Sequence, residues 1–279
     1  HLHVDGSQVV AHAPPDPAGG VLWEVQTGRV RIRRGPMGGD PVYWTRHCGA
    51  CYVSTCLEAL RTLVGIADAA EAAVRTYLVF NYTMEDRGFY HKIHALPPGR
   101  EMQVAAGKGA PVVSITGNDR LPDAEALATE RSYRDRLHRE LDRCCQPAHA
   151  PAFHLSGGID SSLLCHLATD LDSASPLRAY TAHYGFEHPD RLYSARVARE
   201  VRASLQTVTI DPSNLPQHVD TLIRLFGTPV MASGMLTFWE LARAARADGV
   251  DRIVTGIGGD HPFTGTRKTR KGTSYDALF

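Results

Sequence analysis

Residues 154–162, His-Leu-Ser-Gly-Gly-Ile-Asp-Ser-Ser, constrain the fold more than any other stretch of the sequence. An apolar run at 151–155 precedes the glycines, and the pattern of 161–171 predicts a helix after them. Adjacent glycines let a ligand approach the backbone closely, and a helix start presents unpaired N–H groups and the positive end of the helix dipole. The stretch therefore predicts an anion-binding loop between a strand and a helix.

Hydroxyl groups and one carboxylate accompany this loop. Ser156, Ser161 and Ser162 supply hydroxyl donors that suit phosphate oxygens. Asp160 would repel a phosphate unless a cation lay between them, so the loop predicts Mg²⁺ at Asp160. The Lys of the GxxxxGK[ST] motif is absent, which excludes a Walker P-loop. A plain Ser/Gly turn between a strand and a helix is the alternative interpretation.

The loop resembles the SGGxDSS signature of the asparagine-synthetase family, whose relatives include β-lactam synthetase and lasso-peptide macrolactam cyclases. The resemblance implies a PP-loop that grips the pyrophosphate end of ATP while a substrate carboxylate is adenylated. An amine then attacks the adenylate, which gives an amide, AMP and pyrophosphate. The cofactor-binding residues that it implies in the loop are Leu155, Ser156, Gly157, Gly158, Asp160, Ser161 and Ser162.

A second glycine-rich turn follows an expected strand at residues 255–260, Thr-Gly-Ile-Gly-Gly-Asp. It resembles the SGEGGDE or TGxGGDE segment of the same family. The resemblance implies that Asp260 joins Asp160 in holding Mg²⁺ on the ATP tail, and that Gly256 and Gly258 contact the cofactor. Metal held there would neutralise the charge that develops as pyrophosphate leaves.

The second turn and the residues after it also depart from the family pattern. Ile257 stands where relatives carry the Glu or Tyr that distinguishes aspartate amidation from β-lactam closure, and His261 is atypical as well. Neither substrate can therefore be carried over to this chain. Relatives continue past this turn with a segment that carries a Lys for the transition state. Lys268 and Lys271 are the candidates for that charge, and a solvated basic tail is the alternative.

Adenine needs a flat apolar slot with one or two main-chain partners. Leu155 and residues 180–184 are expected to provide it, with His183 and Tyr184 as candidate contacts. Packing is the alternative role for these rings at a strand end.

The N-terminal part of the chain has a different pattern. Residues 1–20 show no period and predict an irregular leading loop. Alternation of apolar and polar residues predicts short strands at 21–25, 30–33, 42–45 and 51–55, the first two as a hairpin. Residues 34–44 resemble the RDPLGxxPLYY hairpin late in the glutaminase-like domain of the same family, and Leu-Pro-Pro-Gly at 96–99 resembles the family's entry into the synthetase domain.

A glutaminase of this type begins with a catalytic Cys, whereas His1 stands first here and no cysteine precedes Cys48. We therefore expect no glutamine hydrolysis and only a partial glutaminase-like unit. Cys48 and Cys51 have the spacing of a zinc or redox pair, but no second ligand pair follows, and half-buried hairpin residues are the preferred interpretation.

The remaining elements follow from periodicity and composition. A helix is expected at 67–82, a loop at 81–90, a linker at 107–122 and a long amphipathic helix at 123–145. After the loop, strands at 178–184, 206–210 and 252–255 alternate with helices at 190–203, 215–226 and 235–247. Such alternation predicts a parallel sheet whose ligands bind beyond the carboxyl ends of the strands. Three segments are expected to converge there: the glycine loop, residues 180–185 and the turn at 255–260.

The predicted fold class is α/β, with a parallel-sheet PP-loop (HUP-like) synthetase domain at 123–279. A small antiparallel remnant of an Ntn glutaminase-like domain at 1–65 precedes it, and a connecting helix and linker occupy 66–122.

Composition narrows the partners. Lys plus Arg and Asp plus Glu both total 30, so net charge indicates neither a nucleic-acid nor a membrane partner. No apolar run is long enough to span a bilayer and no signal peptide is recognisable, which predicts a cytoplasmic protein. The six cysteines are expected to be reduced thiols. The expected partner is a small-molecule or peptide substrate, and a homo-oligomer is left open.

The sequence thus predicts an ATP-dependent, AMP-forming amide or lactam synthetase in specialised-metabolite biosynthesis, with ATP and Mg²⁺ as cofactors. Two alternatives stay open: a nucleotide-binding pseudoenzyme that acts as a subunit or regulator, and an ammonia-dependent asparagine synthetase.

Overall fold

The computed structural model describes residues 2–4, 9–11, 21–26, 28–35, 39–66, 68–81, 83, 88–107, 110–117, 130–146, 151–171, 176–186, 188–229 and 233–259. Contacts within the chain divide it into two compact units. Unit 1 comprises residues 1–125 and 217–232, and unit 2 comprises residues 126–216 and 233–279. The chain therefore passes from unit 1 into unit 2, returns to unit 1 at 217–232 and then enters unit 2 again.

The strands are β1 (Leu2–Val4), β2 (Val9–Ala11), β3 (Val21–Gln26), β4 (Arg29–Arg34), β5 (Tyr43–His47), β6 (Ala50–Ser54), β7 (Ile93–Ala95), β8 (Arg100–Ala105), β9 (Val112–Gly117), β10 (Pro151–His154), β11 (Arg178–His183), β12 (Ser204–Thr209) and β13 (Arg252–Val254). The helices are α1 (Leu57–Val64), α2 (Glu71–Phe80), α3 (Glu130–Cys144), α4 (Ile159–Thr169), α5 (Pro189–Glu200), α6 (Leu215–Phe226) and α7 (Ser233–Ala247).

Unit 1 contains two antiparallel sheets with one shared core. Their strand orders are β2-β1-β6-β5-β7 and β3-β4-β8-β9. Ile32 of β4 and Met102 of β8 belong to the same buried cluster as Cys51 and Val53 of β6. In β4 and β8 alternate residues point to this core, as period-2 patterning requires: Val30 and Ile32 in the first strand, Met102 and Val104 in the second. The antiparallel N-terminal region and its first hairpin, β3 with β4, are therefore confirmed.

A segment from later in the chain completes unit 1. Gly227, just after α6, packs on the Leu57 side chain, so that a β-carbon there would lie 3.2 Å from it. The hydroxyl of Tyr77 in α2 donates to the carbonyl of Pro229. These contacts explain why 217–232 belongs to the antiparallel unit.

Unit 2 is an α/β structure around a parallel sheet of order β12-β11-β10-β13. On one face, Phe153 and Leu155 pack with buried residues of α3, α4 and α5. On the other, Ala152 and Tyr180 pack with Leu241 of α7. The predicted parallel sheet is confirmed, and its central strand β10 leads directly into the glycine loop.

Two predictions about irregular regions are wrong. Residues 1–20 contain β1 and β2, and β1 pairs with β6. The linker predicted at 107–122 contains β9, which pairs along its whole length with β8. Strands of three residues are too short to show a period, and β9 is an exposed edge strand without alternating apolar residues.

Candidate active site

The loop after β10 leaves backbone donors at the carboxyl edge of the parallel sheet. β10 ends at His154, and the N–H of Leu155 still donates to the carbonyl of Tyr180 at 2.9 Å. α4 then begins at Ile159 with Gly158 as its N-cap, and no side chain caps the helix. The N–H groups of its first turn therefore lack intrahelical acceptors, which is the arrangement that binds anions.

Gly157 can only be glycine at this position. Its φ is +82°, and a β-carbon there would lie 2.6 Å from the β-carbon of Tyr193 and 2.7 Å from the backbone nitrogen of Ser194. A side chain would collide with backbone and near-backbone atoms of α5. The loop is thus held tightly against that helix.

Serine hydroxyls close the loop on itself. The hydroxyl of Ser161 donates to the carbonyl of Gly158 at 3.1 Å, and the hydroxyls of Ser156 and Ser161 lie 3.0 Å apart. The N–H of Gly158 points to the Ser156 oxygen at 3.3 Å. Ser162 contributes its N–H to the first bond of α4, at 3.0 Å from the Gly158 carbonyl. Two of the three predicted hydroxyl groups, those of Ser156 and Ser161, are therefore brought together at the start of α4.

The second glycine turn closes directly on Asp160. A β-carbon at Gly256 would lie 2.8 Å from the Asp160 β-carbon and 2.9 Å from the Ser161 nitrogen. A β-carbon at Gly259 would lie 2.8 Å from the Asp160 Cγ and 2.9 Å from its Oδ1. Gly258 has a φ of +86°, and the Gly259 N–H donates to the Gly256 carbonyl at 3.2 Å. Glycines at 256 and 259 therefore make the space in which the carboxylate lies.

A cavity of about 190 Å³ opens between these parts. It is lined by His154, Ser156, Gly158, Asp160, Ser161, Phe238, Gly256 and Ile257. β10 pairs in parallel with both β11 and β13, so the carboxyl ends of these strands meet at one edge. Two of the three segments expected to converge there, the loop after β10 and the turn after β13, line the cavity.

The third segment, at the end of β11, reaches α7. The Tyr184 and Thr237 hydroxyl oxygens lie 2.7 Å apart, and Thr237 is adjacent to the cavity residue Phe238. The Tyr184 ring stacks on Phe186 with centroids 6.1 Å apart. His183 has a buried Nδ1 without a hydrogen-bond partner among the described residues. Tyr184 is therefore near the cavity wall, although it does not line the cavity.

Tyr180 and Leu155 direct their side chains into the core. Tyr180 is 2% exposed, its hydroxyl donates to Asp248 at 2.7 Å, and burial raises its pKa to about 12. Leu155 is fully buried. Contacts of these two residues with adenine stay a prediction, and because both side chains are buried their backbone atoms would have to make them.

His154 forms part of the cavity wall. Burial lowers the pKa of its imidazole, with Asp190 opposing that effect. Its ring meets Phe238 edge-on, with centroids 5.0 Å apart and planes at 87°. His154 and Phe238 were not predicted from sequence. His154 lies two residues before the SGGxDSS motif, which could have indicated it. Phe238 is an aromatic residue in the middle of a helix, and nothing in the sequence around it indicates that it lines a cavity.

Several predicted site residues lie outside the described residues. These are Asp260, Lys268 and Lys271; His261, which departs from the family pattern, lies outside them as well. The metal role of Asp260 and the catalytic roles of Lys268 and Lys271 stay predictions.

The surroundings of Asp160 fit Mg²⁺. The carboxylate lies at a helix start beside backbone atoms of the 256–259 turn, and no Lys or Arg of the described residues forms an ion pair with it. Carboxylate oxygen is the ligand type that Mg²⁺ prefers together with phosphate oxygens. The cysteine pair does not fit a metal, because Cys48 is exposed while Cys51 is buried in the core of unit 1. Within the described residues no group of three or more metal-ligating side chains comes together.

Comparison with known families agrees with this geometry. Residues 132–278, more than half of the chain, match the asparagine synthase model. The chain belongs to the asparagine synthase family. Residues 20–112 match a glutamine amidotransferase domain, so an asparagine synthase-like arrangement of both parts is confirmed.

Individual relatives of this asparagine synthase family member are distant. Amidase chyE of Penicillium rubens is 22% identical over 264 residues, which cover 88% of this chain and 39% of that protein. The chain thus spans well under half of that relative. A glutamine-dependent NAD⁺ synthetase of Acinetobacter baumannii, solved with ADP, aligns with a TM-score of 0.37 and 21% identity, covering 59% of this chain and 34% of the other. An NMN synthetase of Francisella tularensis aligns with a TM-score of 0.33 and 19% identity over 45% and 53% of the two chains.

Among the described residues, no helix combines the length and the apolar character that crossing a membrane would require.

Proposed function

We propose that this chain is an ATP-dependent, AMP-forming synthetase that joins a carboxylate to an amine as an amide or lactam. In the first step a carboxylate oxygen attacks the α-phosphorus of ATP, which gives an acyl adenylate and pyrophosphate. In the second step an amine attacks the acyl carbon, the bond to AMP breaks, and one proton is released. Family membership supports this reaction class.

The observation that carries the proposal is the closure of the second glycine turn on Asp160. Two separate segments, α4 with its loop and the turn after β13, meet where a β-carbon at either glycine would strike Asp160. A turn that only connects a strand to the next element does not require glycines packed around a carboxylate, nor a helix start without a side-chain cap beside it. An anion and its cation at this place account for both features.

Each group has a defined task in this proposal. The N–H groups at the start of α4, with the hydroxyls of Ser156, Ser161 and Ser162, would hold the pyrophosphate part of ATP. Asp160 would hold Mg²⁺, assisted by Asp260. Mg²⁺, when bound, neutralises charge on the phosphate oxygens. Gly157, Gly158, Gly256 and Gly258 would keep the backbone close to the ligand.

The substrates proposed are a small molecule or peptide that carries the carboxylate and the amine, in specialised rather than central metabolism. Ile257 is the sequence feature that supports this, because a residue with no polar atom in its side chain replaces the polar one of the better-known relatives. The Penicillium relative is named an amidase, so that its name, like this proposal, concerns an amide bond.

The effect of Mg·ATP on melting temperature tests the nucleotide site. A ligand at 100 times its Kd stabilises the folded chain by about 2.7 kcal/mol when it binds only that state. We expect Mg·ATP to raise the Tm of the full chain, and Asp160→Asn to remove most of the shift. Asp170→Asn is the matched control, since its carboxylate follows the last turn of α4, 3.7 Å from Arg134. Equal shifts in the parent and Asp160→Asn would contradict the role of Asp160.

Exchange of labelled pyrophosphate into ATP tests the chemistry. A screen of carboxylic acids should find at least one acid that the exchange requires. Binding of Mg·ATP without exchange for any acid would instead favour a nucleotide-binding subunit or regulator.

A further inference from the structure

His154 is the last residue of β10, where this strand opens into the cavity. Side chains alternate along β10, so Phe153 and Leu155 pack in the core on the side of α4 and α5, whereas Ala152 packs on the side of α7. His154 follows Ala152 in this alternation, and its ring meets Phe238 of α7 edge-on, with centroids 5.0 Å apart. The imidazole therefore forms the cavity wall on the α7 side of the sheet.

The ring nitrogens of His154 are open to a ligand. Neither nitrogen has a hydrogen-bond partner among the described residues. Burial lowers the pKa of the imidazole, and the charge of Asp190 on α5 opposes that effect without cancelling it. A lowered pKa favours the neutral ring, which carries one N–H donor and one nitrogen lone pair. Polar groups that are withdrawn from water are usually hydrogen-bonded, so we expect the molecule that fills the cavity to supply the partner.

The other lining residues do not offer a second free base. Asp160 is the only other titratable group among the described lining residues, and Mg²⁺ would occupy it in the proposed function. The Ser161 hydroxyl donates to the carbonyl of Gly158 and lies 3.0 Å from the Ser156 hydroxyl. Aliphatic hydroxyls are also too weakly basic to hold a proton at neutral pH. His154 is therefore the one described lining residue whose lone pair is available to take up a proton.

The cavity brings the reacting groups close to this ring. Its volume of about 190 Å³ is below the range of about 300–1,000 Å³ that is usual for small-molecule sites, so a group that fills it lies close to each of its walls. The start of α4, which would hold the phosphates, and the His154 ring are two of those walls. The acyl carbon of an adenylate is separated from its phosphorus by a single oxygen atom. An adenylate held from α4 therefore has its reacting carbon in the space that His154 lines.

The two proposed steps differ in their need for a base. The first step joins a carboxylate oxygen to phosphorus and transfers no proton. In the second step the amine nitrogen gains positive charge as it bonds to the acyl carbon, and it must lose a proton to become an amide. A side chain within hydrogen-bond reach of that nitrogen accelerates this step by accepting the proton.

We propose that His154 is the general base of the amine step. The bond between nitrogen and the acyl carbon forms, and the bond between that carbon and the AMP oxygen breaks. AMP leaves with the electron pair of the broken bond, and the proton passes from the amine nitrogen to the imidazole. The imidazolium gives this proton to water after the products have left. The inference rests on the proposed function and concerns its second step.

The experiment measures the two steps separately with the full chain. Acid-dependent pyrophosphate exchange reports the first step. The second is reported by amide formed with ammonia, or by lactam formed from an acid that carries its own amine. His154→Gln and His154→Leu should lower the ratio of amide formation to exchange by about 10²–10⁴-fold, the usual contribution of a general base. His166→Leu is the matched control and should keep the parent ratio, because His166 is half exposed on α4, 3.8 Å from Glu200, and does not line the cavity.

Two further measurements distinguish a base from a residue that only packs on Phe238. The protonated ring cannot accept a proton, so the advantage of the parent over His154→Gln in amide formation should disappear as pH falls through the pKa of His154. Burial places that pKa below the ordinary value of 6.5. Added imidazole should restore part of the amide formation in His154→Ala, since it can enter the space left by the side chain.

The contradicting results are equally specific. An unchanged ratio of amide formation to exchange in both His154→Gln and His154→Leu would overturn the inference and leave the proposed function intact. A rise in the KM for ATP at an unchanged ratio would also overturn it, since His154 would then contact the nucleotide. Equal losses of exchange and amide formation would do the same, because His154 would then serve the first step or the fold. A parent chain that shows exchange with no acid would count against the proposed function itself and this inference with it.

Discussion

Two glycine turns of this chain, one in each unit, use glycine for opposite reasons. The hairpin between β5 and β6 turns at Cys48 and Gly49, with φ values of 48° and 77°. No atom lies within 4 Å of a β-carbon built at Gly49, so glycine there serves only backbone conformation. Gly256 has no such dihedral requirement, but its β-carbon would lie 2.8 Å from Asp160.

The difference separates a turn that only completes a hairpin from the turn that we propose to be part of the nucleotide site. Glycine with a positive φ lets the hairpin join two strands of a sheet. The residues beside such a turn either pack in the core or are exposed to solvent. A turn that needs empty space beside a carboxylate and an uncapped helix leaves room for a ligand. The number of glycines in a turn does not distinguish these cases. The atoms that a β-carbon at each glycine would meet do distinguish them.

The largest effect that we expect is a difference in alkylation rate between the two thiols of the β5–β6 hairpin. Cys48 is exposed, whereas burial raises the pKa of Cys51 to about 12 from 9.0. The thiolate is the reactive form, so Cys51 should be alkylated on the order of 10³-fold more slowly than an ordinary thiol. Mass spectrometry after iodoacetamide treatment at pH 8 should find label on Cys48 and none on Cys51 until the chain is denatured.

The same pKa shift predicts a pH dependence of stability. The unfolded Cys51 thiol ionises near 9.0 while the folded thiol stays protonated to about 12, so the free energy of unfolding should fall as pH rises between these values. Cys165, buried in unit 2 with its pKa also raised to about 12, acts in the same direction. Fast labelling of Cys51 in the folded chain would mean that the hairpin is open to solvent.

Alanine substitutions at the two glycines test the comparison itself. Gly256→Ala should displace the turn from Asp160, and a shift of about 1 Å at a reacting centre can cost about 10²-fold in rate. Gly49→Ala should strain the hairpin by about 1–2 kcal/mol but leave pyrophosphate exchange near the parent rate. Exchange rates and thermal melts of both variants are the measurements. Equal exchange rates in Gly256→Ala and the parent would break the distinction between the two turns.

Tyr184 gives the smallest expected effect. Tyr184→Phe removes the hydroxyl 2.7 Å from Thr237 Oγ1, which should lower the free energy of unfolding by about 1 kcal/mol in a denaturation curve. If the ring also contacts the nucleotide, as its sequence position predicts, Tyr184→Ala should raise the KM for ATP while Tyr184→Phe leaves it unchanged. An unchanged KM in both variants would restrict Tyr184 to packing.

Much of the fold of unit 2 could be predicted because the sequence patterns that indicate it are short and contiguous. The glycine loop, the helix that follows it and the alternation of strands and helices are all visible in short windows of sequence. Rules for parallel sheets then bring the ends of β10 and β13 to one edge. The sequence alone therefore assigns Asp160 and Gly256 to the same edge of the sheet.

The features that the sequence did not predict depend on contacts with residues that are far away along the chain. β9 is stable as a strand because β8 supplies its hydrogen bonds, and its own composition resembles a linker. Phe238 enters the cavity wall because α7 packs across the sheet onto Ala152 and Tyr180, which no short window of sequence reveals. The exposure of Ile257 could likewise be known only once the turn was seen closed on Asp160.

The most direct test of the proposed AMP-forming reaction traces a carboxylate oxygen atom of the acid into AMP. An acid that supports pyrophosphate exchange is prepared with ¹⁸O in its carboxylate and incubated with the full chain, Mg·ATP and an amine. Adenylation joins a carboxylate oxygen to the α-phosphorus, and amide formation leaves that oxygen on AMP. The account predicts AMP carrying one ¹⁸O atom in amounts equal to the amide formed, with both lost in Asp160→Asn. Label in inorganic phosphate with ADP as product would contradict it, because the acid would then have attacked the γ-phosphorus.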